Sequence, residues 1–89
     1  MSQAIVDSDH LREFATSLKR YNELVADATV SLEAQFTQLG DTWRDQEQVK
    51  FADEFEQTIR VIRQFQQTCE EHIPVLLRKA DKIDEYLGR

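Results

Sequence analysis

Leu39-Gly40-Asp41-Thr42-Trp43-Arg44-Asp45 holds one of only two glycines in the 89-residue chain, and on either side of it apolar side chains recur in steps of three and four. Glycine enters the left-handed conformation that ends many helices, and Asp41 and Thr42 both suit the cap of a following one. The stretch predicts a turn at about 40–42, with Gly40 as a left-handed C-cap, between two long helices.

Upstream, Leu11, Phe14, Leu18, Tyr21, Val25, Ala28, Leu32, Phe36 and Leu39 trace a coiled-coil-like seam, which predicts a helix over about 8–39. Asp7 or Ser8 can cap its free amides, Asp9 suits the positive end of its dipole, and Ile5 or Val6 is placed to staple onto its first turn. Downstream, Ala52, Phe55, Ile59, Ile62, Cys69, Ile73, Leu76, Ala80, Ile83 and Leu87 mark a second seam, with Phe65 in the slot between Ile62 and Cys69. This predicts a helix over about 43–87. Pro74 removes one backbone hydrogen bond at a cost of about 3 kcal/mol in a helix interior, so a kink or break is expected near 72–74, eased by His72 unless that ring simply meets solvent.

The fold class read from these elements is all-α, a single domain over 1–89 built as a long antiparallel helix-turn-helix hairpin. Two glycines and one proline cannot supply the turns of a β-sandwich or barrel. A formal charge of -6 would repel a phosphate backbone, which argues against nucleic acid as a partner. Apolar runs are short, Ile73 to Leu77 being among the longest, and the first residues lack a basic and an apolar region, so a chain made in the cytoplasm without a classical signal peptide is expected. Arg78, Lys79 and Lys82 follow Leu76 and Leu77, but Asp81, Asp84 and Glu85 dilute them, so adsorption to an anionic membrane is not expected.

Bulky groups lie off both seams: Leu24, Val30, Trp43, Phe51, Val61 and Leu77. A lone cysteine allows no internal disulfide, and chains of this size usually complete their burial by association. Two hairpins would make a four-helix bundle. The expected interface residues are Leu24, Phe36, Leu39, Trp43, Phe51, Phe55, Leu76, Leu77 and Ile83, with Trp43 also suited to plug the open end of the hairpin. Lengths sharpen the picture: helices of about 48 Å and about 70 Å that both start at the Gly40 turn leave Val75 to Leu87 without cover from their own chain. That segment should reach the Phe36, Leu39 and Trp43 region of a partner, or else fold back on Ile5 and Val6.

Nothing in the chain calls for a metal, a cofactor or catalysis. Cys69 with His72, and Asp7 with His10, stand three apart, but a structural metal site needs four ligands and the inward positions are Phe, Ile and Leu. Cys69 reads instead as a small buried apolar group. No phosphate loop or nucleophile beside a base is present in the sequence.

The length, the Trp at the turn in Leu39-Gly40-Asp41-Thr42-Trp43-Arg44-Asp45, and the Phe51 and Phe55 that follow resemble the WXG family of small type VII secretion proteins. The resemblance implies antiparallel four-helix bundles formed with itself or a paralogous small helical protein, a binding role rather than an enzymatic one, and export by a membrane ATPase without a cleaved signal peptide. The alternative is an intracellular scaffold or adaptor of the same architecture. Trp43 corresponds to the motif Trp, while Asp45 stands where the motif has glycine. Thr42-Trp43-Arg44-Asp45 reads as a capping box in which the Asp45 carboxylate reaches back to the amide of Thr42, starting the second helix early. The family's export signal, Tyr followed four residues later by an acid, is not visible: Tyr21 is followed at that spacing by Val25, and Tyr86 would need the acid just past Arg89.

Overall fold

The structure, a computed structural model, describes residues 6–88. Two helices, α1 (Ser8–Leu39) and α2 (Gln46–Leu87), form a narrow antiparallel hairpin of 63 × 27 × 16 Å. Asp7 caps α1, its carboxylate accepting from the amides of Asp9 at 2.8 Å and His10 at 3.4 Å. Of the two residues proposed for the hydrophobic staple, Val6 is exposed and Ile5 lies outside the described residues.

The connection differs from the sequence reading at three points, all with one cause. Gly40 sits at φ -62 and ψ -15, a right-handed conformation, because α1 winds down rather than stopping. The amide of Asp41 bonds Gln38 at 3.1 Å, and those of Thr42 and Trp43 bond the Leu39 carbonyl at 3.1 and 2.9 Å. These closing turns consume the Thr42 amide that Asp45 was expected to reach. Its carboxylate instead turns forward to the Gln48 amide at 2.9 Å and caps α2, which begins at Gln46 rather than near 43. The left-handed C-cap belongs to the other glycine, Gly88, at φ 74.

Pro74 does not break α2, which runs through it for 42 residues. One missing hydrogen bond is a small loss in a helix held on either side by buried Cys69 and Ala80. The exposed His72 ring shares a hydrogen with the Thr68 carbonyl at 2.9 Å, not with the Glu70 carbonyl that proline leaves without its helix donor.

The helices meet along a line of small and polar residues. On α1 the buried positions are Ser8, Ala15, Asn22 and Thr29, every seventh residue, and half-buried Phe36 continues the series. On α2 they are Ile59, Cys69 and Ala80, with Phe55, Ile62, Gln66, Ile73, Leu76 and Ile83 half-buried between and beyond them. The expected α1 seam is therefore displaced: Phe14, Tyr21, Ala28, Leu32 and Leu39 are exposed. In α2 the slot given to Phe65 is held by Gln66. The reason is steric, since small side chains let two backbones approach and a row of aromatics would hold them apart.

Polar groups fix the register along this line. Asn22 Nδ2 donates to the Gln66 carbonyl at 3.2 Å and Gln66 Nε2 donates to the Asn22 carbonyl at 3.5 Å. The Asn22 Oδ1 is buried without a donor, so this pair costs stability while marking which turn faces which. At the open end the buried Ser8 hydroxyl donates to Asp84 Oδ1 at 2.5 Å, and Arg12 Nη2 donates to Asp84 Oδ2 at 2.7 Å and Asp81 Oδ1 at 2.8 Å. This clamp overturns the expected overhang. The start of α1 lies beside Asp84, not opposite 71–73, so Leu76, Ala80 and Ile83 are covered within their own chain, while Val75, Leu77 and Leu87 stay exposed. The extra length of α2 is taken up at the turn, where Phe36 on α1 already lies against Phe51 and Phe55.

Candidate functional site

The clamp and the Glu33–Arg63 ion pair identify one side of the hairpin. Asp9, Arg12, Lys19, Glu23 and Glu33 follow each other in helical steps along α1, and Glu56, Arg60, Arg63, Glu70, Asp81 and Asp84 along α2. Lys19, Glu23, Arg63, Gln67, Glu70 and Leu77 border a groove of about 770 Å³ on this charged side. The Arg12 guanidinium is held above its ordinary pKa, first by its hydrogen bond to Asp81 and then by that to Asp84.

Since the charged stripes of both helices meet here, the remaining stripes share the opposite side. On α1 that stripe is His10, Phe14, Ser17, Tyr21, Leu24, Ala28, Ser31, Gln35 and Gln38, which contains no Asp, Glu, Lys or Arg. On α2 it is Phe51, Glu54, Thr58, Val61, Phe65, Thr68, His72, Val75, Lys79, Lys82 and Tyr86, and every one of these residues is exposed. Phe14 is 57% exposed, Leu24 62%, Phe65 50% and Val61 65%, values no single helix pair can lower. The apolar stripe of α1 is centred on Leu11, Leu18, Val25, Leu32 and Leu39. That line is rotated about 50°, half of the ~100° step between successive residues, from the Ser8–Ala15–Asn22–Thr29 contact line toward this open side. The apolar arc of α1 is thus covered by the sister helix along only one of its edges.

The nine interface residues read from the sequence do not fall on one surface. Leu24, Leu39 and Phe51 lie on or at the edge of the open side. Phe36, Phe55, Leu76 and Ile83 are half-buried between the hairpin's own helices, and Leu77 borders the groove on the charged side. Trp43 is half-buried at the turn, its ring centroid 6.2 Å from that of Phe51, which stacks on Phe55 at 5.7 Å. Phe14, Tyr21, Leu32, Phe65 and Val75 were missed as surface residues. Their signal was present in the seven-residue spacing of Ser8, Ala15, Asn22 and Thr29, which marks a close contact line distinct from the apolar one.

Among the described residues no group of three or more His, Cys, Asp and Glu is arranged to hold a metal ion, and no helix is long and apolar enough to cross a membrane. Cys69 is buried in the seam. The motif position Asp45 has φ -86 and ψ -175, extended backbone open to any residue, so its side chain is free to act as the α2 cap.

Comparison with known proteins places these features in a family. The model of WXG100, proteins of 100 residues with WXG, matches residues 3–86. The crystal structure of the secreted protein EsxB from Bacillus anthracis str. Sterne superposes with a TM-score of 0.74 at 24% identity, covering 97% of this chain and 98% of that one. A point mutant of the same EsxB gives a TM-score of 0.73 at 25% identity, covering 96% and 98%. No curated protein matches the sequence.

Proposed function

Because the chain belongs to the WXG100 family, proteins of 100 residues with WXG, we propose that it is a non-enzymatic interaction module of the type VII secretion kind that works by pairing its open apolar side with a second helical hairpin. The observation that supports this is the rotation of the α1 apolar arc, Leu11 to Leu39, away from the sister helix and toward solvent. Two such hairpins stacked on these sides form a four-helix bundle in which Phe14, Tyr21, Leu32, Phe51 and Phe65 are covered and the charged stripes stay wet. The 63 × 27 Å outline of the hairpin is ample for the roughly 800 Å² per partner that a stable interface needs. The partner is the same protein or a paralogous small helical protein. EsxB of Bacillus anthracis is a secreted protein, and export is part of the same reading for this one.

Sedimentation equilibrium tests it on the purified chain and on the chain co-purified with small helical proteins encoded beside it. The expected result is a complex of twice the 10.5 kDa chain mass or a comparable heterodimer, lost when Phe14 and Phe65 are both changed to Glu. A chain that stays at 10.5 kDa in both settings overturns the reading.

A further inference from the structure

The charged side carries a ladder of ion pairs with its middle left open. On α1, Arg12, Lys19, Ala26 and Glu33 stand at every seventh residue, and on α2 Asp84, Leu77, Glu70 and Arg63 do the same in the opposite direction. The end members bridge the hairpin, Arg12 to Asp84 and Glu33 to Arg63. Three equal steps of seven separate the two bridges on either helix, so the places between them are fixed: Lys19 falls opposite Leu77, and Ala26 opposite Glu70. Neither place can hold an ion pair. Among the described residues, Lys19 and Glu70 have no ion pair with any other side chain either. The groove of about 770 Å³ lies at these two places, bordered by Lys19, Ala26, Glu70 and Leu77 and floored by the Asn22 and Gln66 pair. The two unmatched charges are opposite in sign and stand about 10.5 Å apart along the hairpin, seven residues at 1.5 Å each. Glu23 also borders the groove, one turn from Lys19 toward the Glu70 end, and there Pro74 leaves the Glu70 carbonyl without its helix donor. One end of the groove is therefore basic, and the other is rich in acceptors.

We propose that this groove seats a third helix, supplied by another protein, that sets an acid against Lys19 and, seven residues away on the same face, an arginine between Glu23 and Glu70. A helix presents the same face again every two turns, which is the interval between the two unmatched places. Lying in the cleft, it packs beside α1 and α2 at once, over Ala26, Ile73 and Leu77. Arginine suits the acidic end better than lysine, because its fork of five donors serves a carboxylate and a carbonyl together. The groove is on the opposite side from the open face, so a hairpin paired through that face can still fill it.

Binding of labelled peptides to the full chain tests the proposal. Three alanine-rich helices of about 20 residues, long enough to hold their shape, carry leucine along one face and, seven residues apart beside it, Glu with Arg, Glu with Glu, or Arg with Arg. Fluorescence anisotropy should show the Glu and Arg peptide bound about tenfold more tightly than the other two. Glu70→Lys should change that order and favour the peptide with two Glu. Ala26→Arg together with Leu77→Glu supplies both missing bridges, so this variant should keep its helicity by circular dichroism and lose the peptide. Where that variant fails to fold, the order of peptides on Glu70→Lys decides alone. Phe14→Glu with Phe65→Glu, on the open side, should leave peptide affinity unchanged. A wild type that binds none of the three or all three alike, a Glu70→Lys chain with the wild-type order, or undiminished binding once the bridges are complete overturns the proposal. So does loss of binding in the open-side variant, which places the peptide on the other face. Pairing through the open side is read separately, from the mass of the chain without peptide.

Discussion

Ala80 is 0% exposed, and α1 is the only other element among the described residues, so the surface pressed against its methyl group is α1. Burial of three more carbons at about 0.8 kcal/mol each would make Ala80→Leu stabilising by about 2 kcal/mol if there were space for them. The seam offers none. Overpacking of a close contact costs about 1–3 kcal/mol beyond the transfer gain, and here the damage spreads to neighbours. Pushing the helices apart by even 1 Å carries Ser8 from 2.5 Å and Arg12 from 2.7 Å to the edge of hydrogen-bond range of Asp84, one turn along from Ala80. The expected outcome is a net loss of about 1–3 kcal/mol, or a fall in Tm of about 4–8 °C for each 1 kcal/mol in a domain of this size. Urea unfolding followed by far-UV circular dichroism measures it, at one fixed protein concentration because association contributes to the stability of a paired chain. Val30→Leu, on an exposed position of the charged side, serves as the control and should fall within about 0.5 kcal/mol of the wild type. A higher midpoint for Ala80→Leu at unchanged slope would refute the close-packed seam.

Three further outcomes concern the clamp, the α2 cap and Pro74. Arg12→Gln should lower Tm by the same amount at pH 7 and pH 10: the folded-state pKa of Arg12 is raised above its already high ordinary value, so its contribution is complete below that ordinary value and is lost only as pH climbs through the raised one, which thermal melts at both pH values check. Asp45→Ala should cost about 1 kcal/mol by stranding the Gln48 amide, whereas Asp45→Gly, which restores the family motif, should cost a few tenths, both read from urea midpoints. Pro74→Ala should raise the urea midpoint, since it returns a donor to the Glu70 carbonyl at an exposed position of a continuous helix, and amide exchange should slow at residues 74–78.

The two helices were legible because periodicity over long stretches is a strong signal, and Gly40 with Thr42 and Asp45 marked their junction. What periodicity could not supply was phase. The strongest apolar line, Phe14 and Tyr21 with Leu18 and Val25, is turned away from the line that meets the sister helix, and taking it as that contact rotates α1 by half a residue step. The buried line of Ser8, Ala15, Asn22 and Thr29 carries little hydropathy and was passed over, although its seven-residue spacing is regular. The overhang beyond Pro74 failed for a related reason: helix lengths were measured from the turn, while the register is set at the far end by Ser8, Arg12 and Asp84, side chains whose partners are 69 to 76 residues away in sequence. Asp45 was recognised as a cap, but its direction depended on whether the Thr42 amide was still free, and only the winding of the turn decides that.

The hairpin's contacts differ greatly in how much chain each one closes. The Phe36 ring lies tilted against that of Phe55 at a separation of 4.8 Å with only about twenty residues between them, whereas the Ser8–Asp84 bond spans 76. Closing the longer loop from an open chain costs about 1.2 kcal/mol more in entropy, two doublings of length at about 0.6 kcal/mol each. Once the aromatic rings at the turn have met, every further turn of helix adds contacts at almost no extra loop cost. Folding therefore runs as a zipper that starts at Phe36, Phe51 and Phe55 and closes last at the clamp, and thermal fraying opens in the reverse order, from Ser8 and Asp84 toward the rings.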